Sequence, residues 1–321
     1  MSLRKISFFI LSFVLVLSAC KKDDDDGTIE SVPPRDRAEV QIEDKTEIDN
    51  YLESHYYNST EFEAIANPNS ADIIITERVE GESIPDGHTL LIDSPLLESK
   101  NVKFANIDYE LYVLKLKKGG GVKSPAFSDD IVFTYEGFLL TNTVFDFAVN
   151  AIRSDMYGTN QQNNAGLITG WRKVIPDFNV AESFMTNSDG TDTYINHGVG
   201  IMFLPSGLAY FLGTAGIPSY TPIAFKFDLL NSFENDHDND GVPSYLEDLN
   251  GDGEFFINSE GLTDGDDTDN DGLPNYVDPD DDGDGVLTID EDINGDGDPT
   301  NDIGANGKPN YLDATETSSR E

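Results

Sequence analysis

Between Ile131 and Phe233 the chain sets out Tyr135, Phe145, Asp146, Leu167, Ile168, Trp171, Tyr210, Ile217 and Phe225, aromatic and aliphatic groups with one carboxylate among them. Together they describe an apolar cup. The same stretch has His197 as its only histidine and contains no cysteine, so nucleophile-and-base chemistry of the Ser/His/Asp or Cys/His kind has few candidates. A reaction that needs neither a nucleophile nor a catalytic cofactor fits these residue types better.

A second constellation lies beyond residue 234. Asp236, Asp238 and Asp240 with Glu247, and Asp280, Asp282 and Asp284 with Glu291, have the spacing of a twelve-residue calcium loop with its closing acid. Asp267, Asp269 and Asp271 repeat the pattern with Asp278 in the closing place. Carboxylates at alternate positions followed by a turn glycine can converge on one hard cation. A Pro-x-Tyr recurs at Pro243, Pro274 and Pro309, a phasing that a merely solvated acidic spacer does not need. Flanking helices are poorly developed, so the segment resembles thrombospondin type 3-like calcium repeats more than paired EF-hands. That resemblance implies structural calcium standing in for a hydrophobic core.

The 321 residues carry a net charge of -41, and residues 234–321 alone hold 28 of the 61 acids against Lys308 and Arg320. Nucleic acid is excluded as a partner. Residues 1–19 have the basic, apolar and small-residue zones of a signal peptide, and the apolar run Ile6 to Leu17 is too short to span a membrane. Leu17-Ser18-Ala19-Cys20 resembles a bacterial lipobox, which implies lipidation and membrane attachment at Cys20, the only cysteine. No disulfide is available. Lys21-Lys22 followed by Asp23 to Asp26 resembles the surface-export signal of Bacteroidetes-type lipoproteins. The expected location is the cell envelope, anchored in the outer membrane, with surface display open.

The elements that must position the cup read as follows. Residues 20–38, with Pro33-Pro34, form a linker. Gln41 to Tyr57 places Ile42, Ile48, Tyr51, Leu52 and His55-Tyr56 at spacings suited to a short amphipathic helix. Ile73 to Ile75 and Leu90 to Ile92 suggest strands within a small segment, 39–108, whose role is packing or spacing. Leu111 to Lys117, Ile131 to Leu140 and Gly200 to Leu204 are further strands. In the last strand, Ile223, Phe225, Phe227 and Leu229 alternate with Ala224, Lys226 and Asp228, one face buried and the other wet. With a short helix around Trp171 to Val174, the class is α+β with an antiparallel sheet.

At these residues the chain resembles the FKBP-type peptidyl-prolyl cis-trans isomerases. Ser128 to Gly137 is similar to that family's opening strand, and Val144-Phe145-Asp146 to its Phe-Asp pair. Leu167 to Trp171 is similar to the segment bearing the pocket-floor tryptophan, Leu208-Ala209-Tyr210 and Ile217-Pro218 to the loop before the last strand, and Ala224 to Leu230 to that strand. The resemblance covers about 125 residues, 109–233. It implies a sheet wrapped on a short helix, with Trp171 flooring a prolyl ring and Tyr135, Phe145, Leu167, Ile168 and Phe225 as walls. Tyr210 would hydrogen-bond a substrate carbonyl, and Asp146 would orient or polarise the amide. Asn142, Phe211 and Ser219 depart from the family's residues, and an inserted loop is expected around Asn187 to His197.

The whole reads as a lipid-anchored envelope protein with an isomerase unit and a calcium-ordered tail, 234–321, acting on proline-containing proteins or peptides during the folding of exported chains. A catalytically weak surface scaffold that binds such segments is the alternative. Oligomeric state is not legible.

Overall fold

The computed structural model describes residues 33–159, 165–257 and 265–320. The expected signal peptide, Cys20 and most of the expected linker lie outside the described residues. Residues Arg35–Glu321 cluster as one compact unit.

Helix α1 (Arg37–Ser54) starts where Asp36 accepts from the N–H groups of Ala38 and Glu39, satisfying two donors the helix itself cannot. It buries Val40, Asp44, Ile48, Tyr51 and Leu52. Ile42, expected on that face, is 69% exposed, because six residues at about 100° each carry it well away from Ile48. The expected linker is therefore already helical at Arg37, and the expected helix ends before His55.

Strand β1 (His55–Tyr57), helix α2 (Ser59–Ala64), β2 (Ile75–Glu77) and β3 (Thr89–Leu90) follow, and the three strands form an antiparallel sheet in the order β2-β1-β3. Of the two expected apolar strands only these parts pair: Leu91–Asp93 turns into a 3-10 helix with Leu91 buried.

The main sheet has six strands, all antiparallel to their neighbours. They are β4 (Leu97–Phe104), β5 (Ile107–Lys117), β6 (Asp130–Leu139), β7 (Val144–Asp155), then, after helix α3 (Thr169–Val174) and the hairpin β8 (Ser183–Thr186) and β9 (Asp192–Ile195), β10 (Gly198–Leu204) and β11 (Ile223–Phe233), in the spatial order β4-β5-β10-β11-β6-β7. The fold is thus antiparallel sheet with few helices. The expected insertion is the β8–β9 hairpin. Strand β4, from the segment read as a separate spacer, is an integral edge of this sheet.

Two apolar clusters sit on the two faces. One gathers Tyr109, Leu111, Val113, Phe133, Trp171, Val174, Phe178, Phe225 and Phe227, with α3 across it. The other joins Leu114, Phe138, Ile201, Phe203 and Ala224 of the sheet to Ile48, Tyr51, Leu52, Phe62, Ile73 and Leu91 of the N-terminal segment. Coverage on both faces explains why β10 is buried at every residue and reads as an unbroken apolar run. It also corrects the expected wet face of β11. Ala224 and Asp228 are buried, because the N-terminal segment covers them.

Asp228 is tolerated there because its oxygens accept from Ser70 N (2.7 Å), Ser70 Oγ (2.6 Å) and Thr134 Oγ1 (2.5 Å) and meet His197 Nε2 at 3.1 Å. A buried carboxylate needs such partners.

Candidate active site and acidic loops

Alternation along β6 turns Ile131, Phe133 and Tyr135 toward α3. Helix α3 delivers Trp171, 3% exposed, whose ring lies 4.8 Å from Phe133, 5.2 Å from Phe225 and 5.9 Å, edge-on, from Tyr135. These rings floor a cavity of about 500 Å³. Tyr135, Asp146, Leu167, Ile168, Trp171, Tyr210 and Phe225 line it, together with Phe133, Ile152, Ser154, Ala165 and Gly166. Phe145 and Ile217 stand behind the wall: Phe145 packs edge-on against Phe225 at 5.6 Å, and Ile217 is buried in the same cluster. Phe133 is the lining aromatic that the sequence reading left unassigned, although period-two alternation from Tyr135 points to it.

Asp146 is fixed by two donors, the Tyr135 hydroxyl at 2.7 Å and the Phe147 N–H at 2.9 Å. Tyr135 ionises well above the usual phenol range, through burial first and its bond to Asp146 second. Burial, then the charge of Asp146, raises Tyr210 as well. Both phenols therefore stay protonated donors at neutral pH. The cup offers aromatic surface, two phenolic O–H groups and one oriented carboxylate.

The departures Asn142 and Phe211 serve contacts with the N-terminal segment. Asn142, at φ +61°, accepts from the Tyr51 hydroxyl at 2.6 Å and meets His55 Nε2 at 3.1 Å. The Phe211 ring lies 4.2 Å beneath the Arg37 guanidinium, which also donates to Gly207 O. Ser219 stays within its own loop, donating to Leu212 O.

Residues 234–257 and 265–320 form tight turns and short 3-10 helices. Asp236, Asp238 and Asp240 bring oxygens within 4.8 Å of one another, as do Asp267, Asp269 and Asp271, and Asp280, Asp282 and Asp284. The first aspartate of each loop accepts from the N–H of the glycine five residues on, Gly241, Gly272 and Gly285, which adopt φ of +99°, +100° and +94°. Asp248 and Asp292, not assigned from the sequence, cap Gly253 and Gly297 in the same way. The closing acids differ in placement. Glu291 is buried and its carboxyl is pushed up to about 8 by burial, then by Asp282, Asp284 and Asp280 of its own loop. Asp278 is buried and raised by burial, then by Asp271 and Asp269. Glu247 groups with Asp240 and with Asp281 of another loop.

The tail also grips the cup. Arg172, next to the floor tryptophan, donates to Leu167 O at 3.0 Å and to Glu254 at 2.8 Å, and lies over the Tyr157 ring. Lys173 reaches the same carboxylate at 3.0 Å. Phe255 stacks on Tyr276 at 4.1 Å and meets Tyr157 edge-on. Glu254 was hidden in the sequence among many acids.

Residues 237–298 match the family model described as BamM C-terminal, which stands in place of the thrombospondin type 3 likeness. No curated protein matches the chain. Among solved structures, a peptidyl-prolyl cis-trans isomerase from Pseudomonas syringae pv. tomato is similar at 16% identity and a TM-score of 0.31, over 44% of this chain and 83% of that one. FkpA from Escherichia coli is similar at 19% identity and a TM-score of 0.32, over 44% of this chain and 53% of that one.

Proposed function

We propose that the chain is a peptidyl-prolyl cis-trans isomerase acting on proline-containing proteins or peptides in the cell envelope. The observation that carries this reading is the convergence of Trp171, Tyr210 and Asp146 on one aromatic cavity. Rotation about an X-Pro amide faces a barrier of roughly 20 kcal/mol, because the planar bond must give up its resonance. Water solvates the polar planar amide better than the twisted one. A cavity walled by Phe133, Tyr135, Trp171 and Phe225 removes that water from the prolyl side and so lowers the barrier selectively. A hydroxyl from Tyr210 would hold the substrate carbonyl, and Asp146, already oriented by Tyr135 and Phe147, would set the field at the rim. No covalent step is needed.

In the tail, the acid loops fit a hard divalent cation. Oxygens of Asp238, Asp240, Asp280, Asp282, Asp284 and Glu291 are buried without a hydrogen-bond partner, a state that bound calcium would relieve. Its role would be structural. Lipid attachment through Cys20 at the outer membrane completes the proposal and is supported by the sequence signals alone; among the described residues no helix is long and apolar enough to cross a membrane.

The test is isomerisation of a short prolyl peptide by the chain from Pro33 onward. Acceleration that falls at least tenfold in Tyr210→Phe or Asp146→Ala supports the reading. A folded wild-type chain with no effect on the rate leaves the scaffold alternative.

A further inference from the structure

Buried carboxylates in this chain are generally answered by a donor or a cation of its own. Asp228 has Ser70, Thr134 and His197; Glu254 has Arg172 and Lys173; Asp292 has Arg320 at 2.9 Å. Apart from the oxygens that face each loop's own centre, one group among the described residues, drawn from two different loops, departs from that rule. Asp240, Glu247 and Asp281 are 1%, 0% and 1% exposed, and one oxygen from each lies within 4.8 Å of the other two. Both oxygens of Glu247, both of Asp281 and Oδ2 of Asp240 have no hydrogen-bond partner. Among the described residues no lysine, arginine or histidine is ion-paired with any of the three; the salt bridges of the tail lie at Glu254, Asp292 and His237. Three uncompensated carboxylates so close together in a dry site would not stay there.

We infer that a calcium-class divalent cation binds between Asp240, Glu247 and Asp281, so that the first acidic loop is completed by a ligand from the third. The inference deepens the calcium reading of the tail and rests on it. Asp281 holds the second place of its own loop, flanked by Asp280 and Asp282, which serve that loop. A side chain at the second place does not turn toward its own ion in a D-x-D-x-D-G pattern, which is why spacing assigns it no ligand. Here it is turned instead on Glu247. Five free carboxylate oxygens suit a cation that takes six to eight oxygen ligands, better than magnesium, which keeps water and a strict octahedron. The consequence is a tie: the ion joins residues 240 and 247 to residue 281, closing the intervening chain, with its Phe255–Tyr276 stack, into a loop.

Calcium titration of the chelator-stripped full chain by calorimetry tests this, with Asp281→Asn, Glu247→Gln and the exposed control Asp290→Asn. Asp281→Asn and Glu247→Gln should each lose one binding event, or weaken it at least tenfold, while Asp290→Asn matches wild type. Wild-type stoichiometry and affinity in Asp281→Asn overturn the shared site and leave the tail's other loops standing. No calcium uptake by wild type overturns both. Thermal midpoints guard against a folding artefact: in chelator Asp281→Asn should melt above wild type, since a repelling charge is gone, and calcium should raise its midpoint less. A variant melting below wild type in both conditions shows Asp281 to be a packing residue and sinks the proposal.

Discussion

Arg172 donates to Glu254 at 2.8 Å and to Leu167 O at 3.0 Å, so one buried guanidinium joins the acidic tail to the cup's wall. The neighbouring Trp171 is the chain's only tryptophan. If calcium orders the tail, chelation frees Glu254, and Trp171 loses the support beneath α3. The expected outcome is a red shift and altered intensity of tryptophan emission on adding chelator, reversed by calcium. Glu254→Gln should blunt that response. Emission that ignores chelator in a chain that demonstrably binds calcium would show the two sites to be uncoupled.

Gly137 faces Phe145 and Phe225, whose ring atoms would lie 2.7 Å from an added Cβ. Gly137→Ala must therefore displace the Phe145 ring from its edge-on contact with Phe225. Overpacking of this kind costs about 1–3 kcal/mol. We expect a folded protein with a lower midpoint of denaturation and prolyl isomerisation reduced more than tenfold, measured on the same peptide. Full activity would mean that the Phe145 side of the cup does not meet substrate.

Asp44 of α1 is buried and accepts from both Ser206 N and Ser206 Oγ at 2.7 Å, tying the N-terminal helix to the turn before Tyr210. Burial, partly offset by Ser206, pushes its carboxyl up to about 6. The folded state therefore binds the proton more readily than the unfolded chain, whose aspartates titrate near 3.9. This group's stabilising contribution is complete below about pH 4 and is lost as pH rises through about 6. Asp44→Asn lacks that titration. Its stability relative to wild type should grow by on the order of 2–3 kcal/mol between pH 4 and pH 7, read from denaturant melts at each pH. A difference that stays constant would place the carboxyl's transition outside this window.

The elements that carry the cup were legible from spacing, since alternation set Phe225 and Phe227 and Trp171 sat in the one helical break, whereas Tyr135, Phe145, Asp146 and Tyr210 were pointed to by the family resemblance. Spacing also found the alternating aspartates of three loops. What escaped it was long-range. The burial of Asp228 depends on Ser70, 158 residues away in sequence, and nothing local in the alternating β11 tells that its second face is covered. Ile42 falls off the expected helical face because it lies six residues before Ile48, a rotation of about 600° that leaves the two on different sides. Glu254 and Asp281 look like any other acid until the fold brings Arg172 to the first and Glu247 to the second.

That covered face supplies the last expectation. Asp228 collects Ser70 N, Ser70 Oγ, Thr134 Oγ1 and His197 Nε2 beneath the N-terminal segment. Asp228→Ala strands all four groups in a buried setting, a loss of about 3–5 kcal/mol. The damage should be directional: the turn at Ser70–Asp72 loses its anchor to β11, while Trp171 lies across the sheet in the other cluster. Hydrogen exchange should quicken first at Ser70 and Ile73, ahead of the amides of α3. Ser70→Ala removes the hydroxyl alone and should cost about 1 kcal/mol, the net worth of one such bond. Equal exchange gains in both regions would mean that Asp228 holds the sheet as a whole instead of pinning the segment over it.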